Sequence, residues 1–139
     1  MKPHLAGLYE TFKDVLIIAE VRVVAADDLW MSPMYKRASA ALHFTWVADE
    51  EAVRVVLLVL ERALAPFDPR PHWAKLFAMP PNEVRLRYKD KVMKMNRWFH
   101  SADPHGKFHN AFVDRYMKWG KSRSPAKKTA GSGHSHSEL

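Results

Sequence analysis

The chain has 139 residues, 47% of them hydrophobic and 12% aromatic, which is enough for one domain with a real core and too apolar for a disordered chain. It contains no cysteine, so a disulfide scaffold, a thiolate metal site and a cysteine nucleophile are excluded. Lys and Arg total 22 against 15 Asp and Glu, and the net charge of +7 suits a phosphate polyanion, an acidic membrane surface or an anionic cofactor. No apolar run reaches the ~20 residues that span a bilayer, and Met1-Lys2-Pro3-His4 opens no secretory signal, so a cytoplasmic setting is expected.

Leu5, Leu8, Tyr9, Phe12 and Val15 recur at helical spacing and predict a short opening helix. From Leu16 to Val24 the period becomes two and β-branched residues dominate, which predicts a strand. Leu16, Ile18, Glu20, Arg22 and Val24 share one side of it, and Ile17, Ala19, Val21 and Val23 form a wholly apolar other side. Residues 25–37 read as turns around Asp27-Asp28 and Ser32-Pro33. A second strand is expected over 38–47, with Leu42, Phe44 and Trp46 on one side and Ala41, His43 and Thr45 on the other. Asp49 is a good N-cap, and Glu50 and Glu51 suit the positive end of a helix dipole. With the Glu50/Arg54 spacing, they make the Val-rich run 52–64 a largely buried helix rather than a strand.

Pro66, Pro69 and Pro71 stiffen a connection that delivers residues 72–77 as a short extended segment. Val84, Tyr88, Val92, Met95 and Phe99 predict one helix over 82–99. Its other face carries Arg85, Arg87, Lys89, Lys91, Lys94 and Arg97, most simply a solvated face. Asp103-Pro104-His105-Gly106 is a turn, and 107–117 is an aromatic-bearing terminal segment. Residues 118–139 turn to Gly, Ser, Lys and Pro and read as a disordered basic tail, in which His134 and His136 make at best a weak metal pair.

The chain holds no dinucleotide or P-loop glycine motif, no H-E-x-x-H and no nucleophile elbow, and no metal site is expected. Its chemistry lies in three polar signals, each with an ordinary structural reading beside it. Glu20 and Arg22 point the same way from one strand: a surface ion pair, or a carboxylate and a guanidinium that hydrogen-bond a hydroxylated ligand. His43 and Thr45 share a strand face: a satisfied core histidine beside a β-former, or part of the same polar wall if the two strands are neighbours. His72-Trp73-Ala74-Lys75 places a lysine among aromatics: a snorkelling side chain, or a pinned cation that hydrogen-bonds a reacting hydroxyl or an anionic reduced flavin.

Four strings in order carry a resemblance over residues 5–117. They are Ala19 to Pro33, His43-Phe44-Thr45-Trp46, Pro69 to Phe77, and Asp103 to Phe112. Together they resemble the alditol (xylitol, sorbitol) oxidases and D-arabinono-1,4-lactone oxidases, flavoenzymes of the vanillyl-alcohol-oxidase type. The resemblance implies an α+β fold, a partial antiparallel sheet with helices packed on one face, as a fragment of a flavin-oxidase substrate domain spanning 1–117. It implies FAD held mainly by a domain without a counterpart here. It also implies hydride transfer from a carbinol carbon to flavin, with dioxygen reduced to hydrogen peroxide.

By the same resemblance Glu20, Arg22, Thr45 and Lys75 line the substrate site. Arg22 and Lys75 are the catalytic pair that stabilises a developing alkoxide, and His72 and Asn110 lie near the cofactor. The expected partners are a polyol or sugar lactone and a separate flavin-binding chain, not nucleic acid. Without that domain the chain is expected to be inactive alone, as half of a split enzyme, a truncated product or a relic. The rival reading is a catalytically dead basic module that binds a polyanion or a partner protein.

Overall fold

The computed structural model describes residues 8–117. The expected basic tail at 118–139, with His134 and His136, lies outside the described residues, as does the start of the opening helix at Leu5. A single turn of helix, α1 (Tyr9–Phe12), leads into β1 (Leu16–Val24), which pairs antiparallel with β2 (Ser39–Trp46). Then follow α2 (Glu50–Leu64), a short 3-10 helix (Ala65–Phe67), α3 (Pro81–Tyr88), α4 (Asp90–Ala102) and α5 (Ala111–Met117). The architecture is the expected α+β arrangement, built on a two-stranded antiparallel sheet.

The strand register sets two faces. Ala19, Val21 and Val23 oppose Phe44, Leu42 and Ala40, and Ile18, Glu20 and Arg22 oppose Thr45, His43 and Ala41. An irregularity between Leu16 and Ile18 corrects one assignment. The extra residue breaks the alternation, so Leu16 pairs with Trp46 and packs against the core instead of sharing the polar side.

α2 forms where Asp49 caps it: Asp49 Oδ1 accepts the Ala52 N–H at 3.0 Å, and Arg54 reaches back to Glu50. Val53, Val56, Leu57 and Leu60 are buried at i, i+3, i+4 and i+7. They pack with Phe12 and Val15, and with Phe44 and Trp46 from the apolar side of the sheet. Each such side chain stabilises the fold by roughly 1.5–3 kcal/mol. The helix is amphipathic rather than largely buried, because Val55 and Leu58 on its far side are exposed at 62% and 48%.

The helix expected over 82–99 is two helices. Lys89 adopts φ 51° and ψ −127°, closing α3 through its N–H to the Arg85 carbonyl and starting α4 at Asp90. Val84, Tyr88 and Val92 are nonetheless buried in one second cluster, with Met79, Tyr116 and Met117. The break keeps all three on that core, so their spacing of four gives no sign of it.

Residues 72–77 are also not extended as expected. The Lys75 N–H donates to the His72 carbonyl at 3.0 Å and bends the segment into a turn. No described helix is long and apolar enough to cross a membrane.

Candidate functional site

The polar side of the hairpin is built by register. Glu20 sits directly opposite His43, so the carboxylate that β1 presents meets the imidazole that β2 presents. Glu20 Oε2 lies 2.6 Å from His43 Nδ1 and accepts from Arg22 Nη2 at 2.7 Å. The hydrogen bond to His43 and then the Arg22 charge hold the Glu20 carboxyl below the usual carboxylate range, so it is ionised and oriented. Thr45 is exposed on the same face, opposite Ile18.

Lys75 arrives from a different part of the chain. Arg22, His43, His72 and Lys75 line one cleft of about 780 Å³, whose apolar lining includes Leu42, Phe44 and Leu60. The cleft runs beside the segment delivered by Pro69 and Pro71, which fix its backbone without an N–H of their own. The His72 side chain shapes the turn: its Nδ1 accepts the Ala74 N–H at 3.2 Å. That leaves the neutral ring carrying its proton on Nε2. Trp73 anchors the same turn, its indole N–H donating to the Met31 carbonyl at 2.7 Å and its ring packing on Tyr88. Two residues of the motif hold the turn, and Lys75 stands exposed at its end.

Of the residues singled out in the sequence, Arg22, His72 and Lys75 line the cleft together, and Glu20 joins them through Arg22 and His43. Thr45 shares the sheet face, and neither it nor Asn110 lines the cleft. Asn110 caps α5, its Oδ1 accepting the Val113 N–H at 2.9 Å. The two strands are neighbours, the condition for His43 and Thr45 to join one polar wall, and His43 is the residue of the two that hydrogen-bonds Glu20.

Four of the six basic residues expected on a solvated helix face are engaged within the chain. Arg85 donates to the Arg115 and Tyr116 carbonyls, Arg87 pairs with Asp68, and Lys91 and Lys94 pair with Asp90. Among the described residues no group of three or more His, Asp or Glu is arranged to hold a metal.

The polar side chains of the cleft suit a hydroxylated ligand, and no dinucleotide-type glycine loop is formed among the described residues. Cleft-lining Arg22 and Lys75 supply positive charge beside apolar side chains. Gly106 is the one glycine among residues 8–117, in a turn closed by Asp103, so no glycine-lined phosphate cradle is formed there.

Residues 5–116 match the D-arabinono-1,4-lactone oxidase family. An alditol oxidase from Streptomyces sp. is 45% identical over 104 residues, which cover 75% of this chain and 25% of that protein. The chain thus spans about a quarter of the length of that curated relative. On the family match over most of its length, the chain belongs to the D-arabinono-1,4-lactone oxidase family.

Proposed function

We propose that the chain is the C-terminal, substrate-facing part of an FAD-dependent oxidase acting on alditols such as xylitol and sorbitol, or on sugar-1,4-lactones. The observation that supports it is the shared polar face of β1 and β2, where Glu20, Arg22 and His43 hydrogen-bond together and Thr45 lies on the same side, beside a cleft that Lys75 also lines. When bound, FAD would supply the redox chemistry, a two-electron oxidation of the carbinol carbon with dioxygen as the final acceptor and hydrogen peroxide as its product.

This chain's residues bind and orient. Ionised Glu20, steadied by His43, accepts hydrogen bonds from substrate hydroxyls, and Thr45 adds a hydroxyl on the same side. Arg22 and Lys75 donate hydrogen bonds to the oxygen of the reacting carbon and hold it in place. His72 sets the turn that presents Lys75, and Asn110 orders the start of α5 near the C-terminal end of the described chain. The flavin is held mainly by a domain or partner chain outside these residues, and this chain alone gives no turnover.

The test is co-expression with a flavin-binding half taken from the Streptomyces alditol oxidase, followed by a peroxide assay with xylitol, sorbitol and arabinono-lactone. Peroxide formation is expected, falling by about 10²-fold in kcat for Lys75→Ala. A folded, flavin-loaded complex that makes no peroxide from any of the three overturns the reading. Turnover indifferent to Lys75→Ala overturns that residue's role alone.

A further inference from the structure

The cleft has a charge balance that the polyol reading leaves unexplained. Four permanent cations line the cleft (Arg22, Arg37, Arg70 and Lys75) against one carboxylate, Glu61. Glu61 is occupied elsewhere, accepting the Ala78 N–H at 2.7 Å. Glu20 neutralises Arg22. Asp68 has to serve two guanidiniums, Arg37 on Oδ2 at 3.2 Å and Arg87 on Oδ1 at 2.8 Å. Arg37 also donates to the Asp68 carbonyl at 2.7 Å.

Arg70 hydrogen-bonds no carboxylate, and the charges of Asp68 and Asp27 reach it only through space. It donates to the carbonyls of Pro33 and Tyr35 at 3.2 and 3.0 Å, and its guanidinium lies 5.3 Å from the Tyr88 ring centroid. The Nε–H groups of Arg37, Arg70 and Arg87 are all buried without an acceptor. Three guanidiniums therefore crowd one carboxylate in a partly desolvated place, and two of them open on the cleft. Burial and the neighbouring Arg37 charge hold the Arg70 pKa below its usual value, which is the expected sign of uncompensated positive charge.

The neighbouring wall is Met34, Ala38, Phe67 and Pro69, which offer an anion no repulsion and little competing water. Asp68 stands between the 3-10 helix and Pro69, and its carboxylate and carbonyl orient Arg37 and Arg87.

We propose that the Arg37–Arg70 end of the cleft binds a small oxyanion, the phosphate or carboxylate of a hydroxylated compound. An arginine fork matches two oxygens of either group, and the ligand supplies the negative charge that Asp68 divides between two partners. This inference stands on the charge balance of the cleft and does not depend on the oxidase reading.

The experiment follows the Arg Nε–Hε NMR signals of the full chain during titration with inorganic phosphate and with gluconate, against sodium chloride at matched ionic strength. Saturable shifts of the Arg37 and Arg70 signals are expected with at least one of the two anions, and the tighter binder identifies phosphate or carboxylate as the preferred group. Arg70→Gln weakens that binding about tenfold. Because Arg70 also ties down the 33–35 loop, Arg70→Lys is the second variant. It keeps the charge, loses the fork, and binds more weakly than the parent with an unchanged circular dichroism spectrum.

No saturable shift with either anion overturns the proposal. So does a shift that chloride reproduces, or binding that both variants keep at full strength. Sorbitol, run in parallel, reports on the Glu20 and Lys75 side; its failure would count against the oxidase reading and leave this one standing.

Discussion

His43 Nδ1 lies 2.6 Å from a carboxylate oxygen of Glu20, joining two residues 23 positions apart in the chain across the hairpin. The imidazole contributes more than the adjacent Arg22 to holding Glu20 ionised. The Glu20 side-chain titration, followed by carbon NMR, is therefore expected to have its midpoint below 4.5. His43→Ala should move it back toward 4.5 further than Arg22→Ala does. The linkage has the usual carboxylate sign: the pair's contribution is present above 4.5 and fades as pH falls through the lowered pKa. Equal shifts in the two variants would remove His43 from this role.

Glu61 behaves in the opposite sense. Burial raises its carboxyl above the usual 4.5, against the pull of the Ala78 and Met79 N–H groups. The folded chain binds this proton more tightly than the unfolded chain does, so stability falls as pH rises from 4.5 through the raised value. Glu61→Gln keeps an acceptor for Ala78 and cannot ionise. Urea unfolding at about pH 4 and about pH 7 should show the variant gaining on the parent at the higher pH. A constant difference between the two would refute the assignment.

Lys89 sits at φ 51° and ψ −127°, a conformation that glycine adopts freely and a side chain resists. Lys89→Gly is expected to stabilise the chain by up to about 1 kcal/mol, raising Tm by roughly 4 °C. Part of the relief is offset by the freer unfolded chain. A fall in Tm would show that the junction between α3 and α4 is not strained.

The turn at residues 72–75 depends on a ring nitrogen accepting a backbone N–H. Asparagine places an oxygen at a similar distance from the backbone and commonly closes such turns. In the proposed assembly with a flavin-binding half, His72→Asn should keep most of kcat, and His72→Leu should lower it as Lys75→Ala does, with little change in Tm for either. Equal loss in both variants would mean that the imidazole does something a turn acceptor cannot.

Much of this was legible in the residues. Period two gave β1 and β2, Asp49 gave the start of α2, and alternation put Glu20 and Arg22 on one side before any pairing was known. The misses share a cause. Leu16 changed side because a one-residue irregularity leaves no trace in the apolar stretch Leu16-Ile17-Ile18-Ala19 that opens β1. The break at Lys89 was silent because lysine carries no turn signature and the apolar spacing continued through it. The basic helix face read as solvated because the partners that engage Arg85 are main-chain carbonyls 30 and 31 residues away, and no side-chain pattern encodes a carbonyl. The cleft itself was hidden for the same reason: Lys75 reaches the hairpin through a turn, and the chain's order says nothing of which turn faces which strand.

The alternation along β1 has a practical consequence. Val21 and Val23 are exposed at 72% and 90%, an apolar ridge of the kind that draws strands of separate molecules together. Glu20 and Arg22 point the opposite way. A lysine introduced at Val23 would discourage self-association while leaving the carboxylate and guanidinium on the reverse side untouched. Handling properties and ligand chemistry can thus be adjusted separately within one nine-residue ribbon.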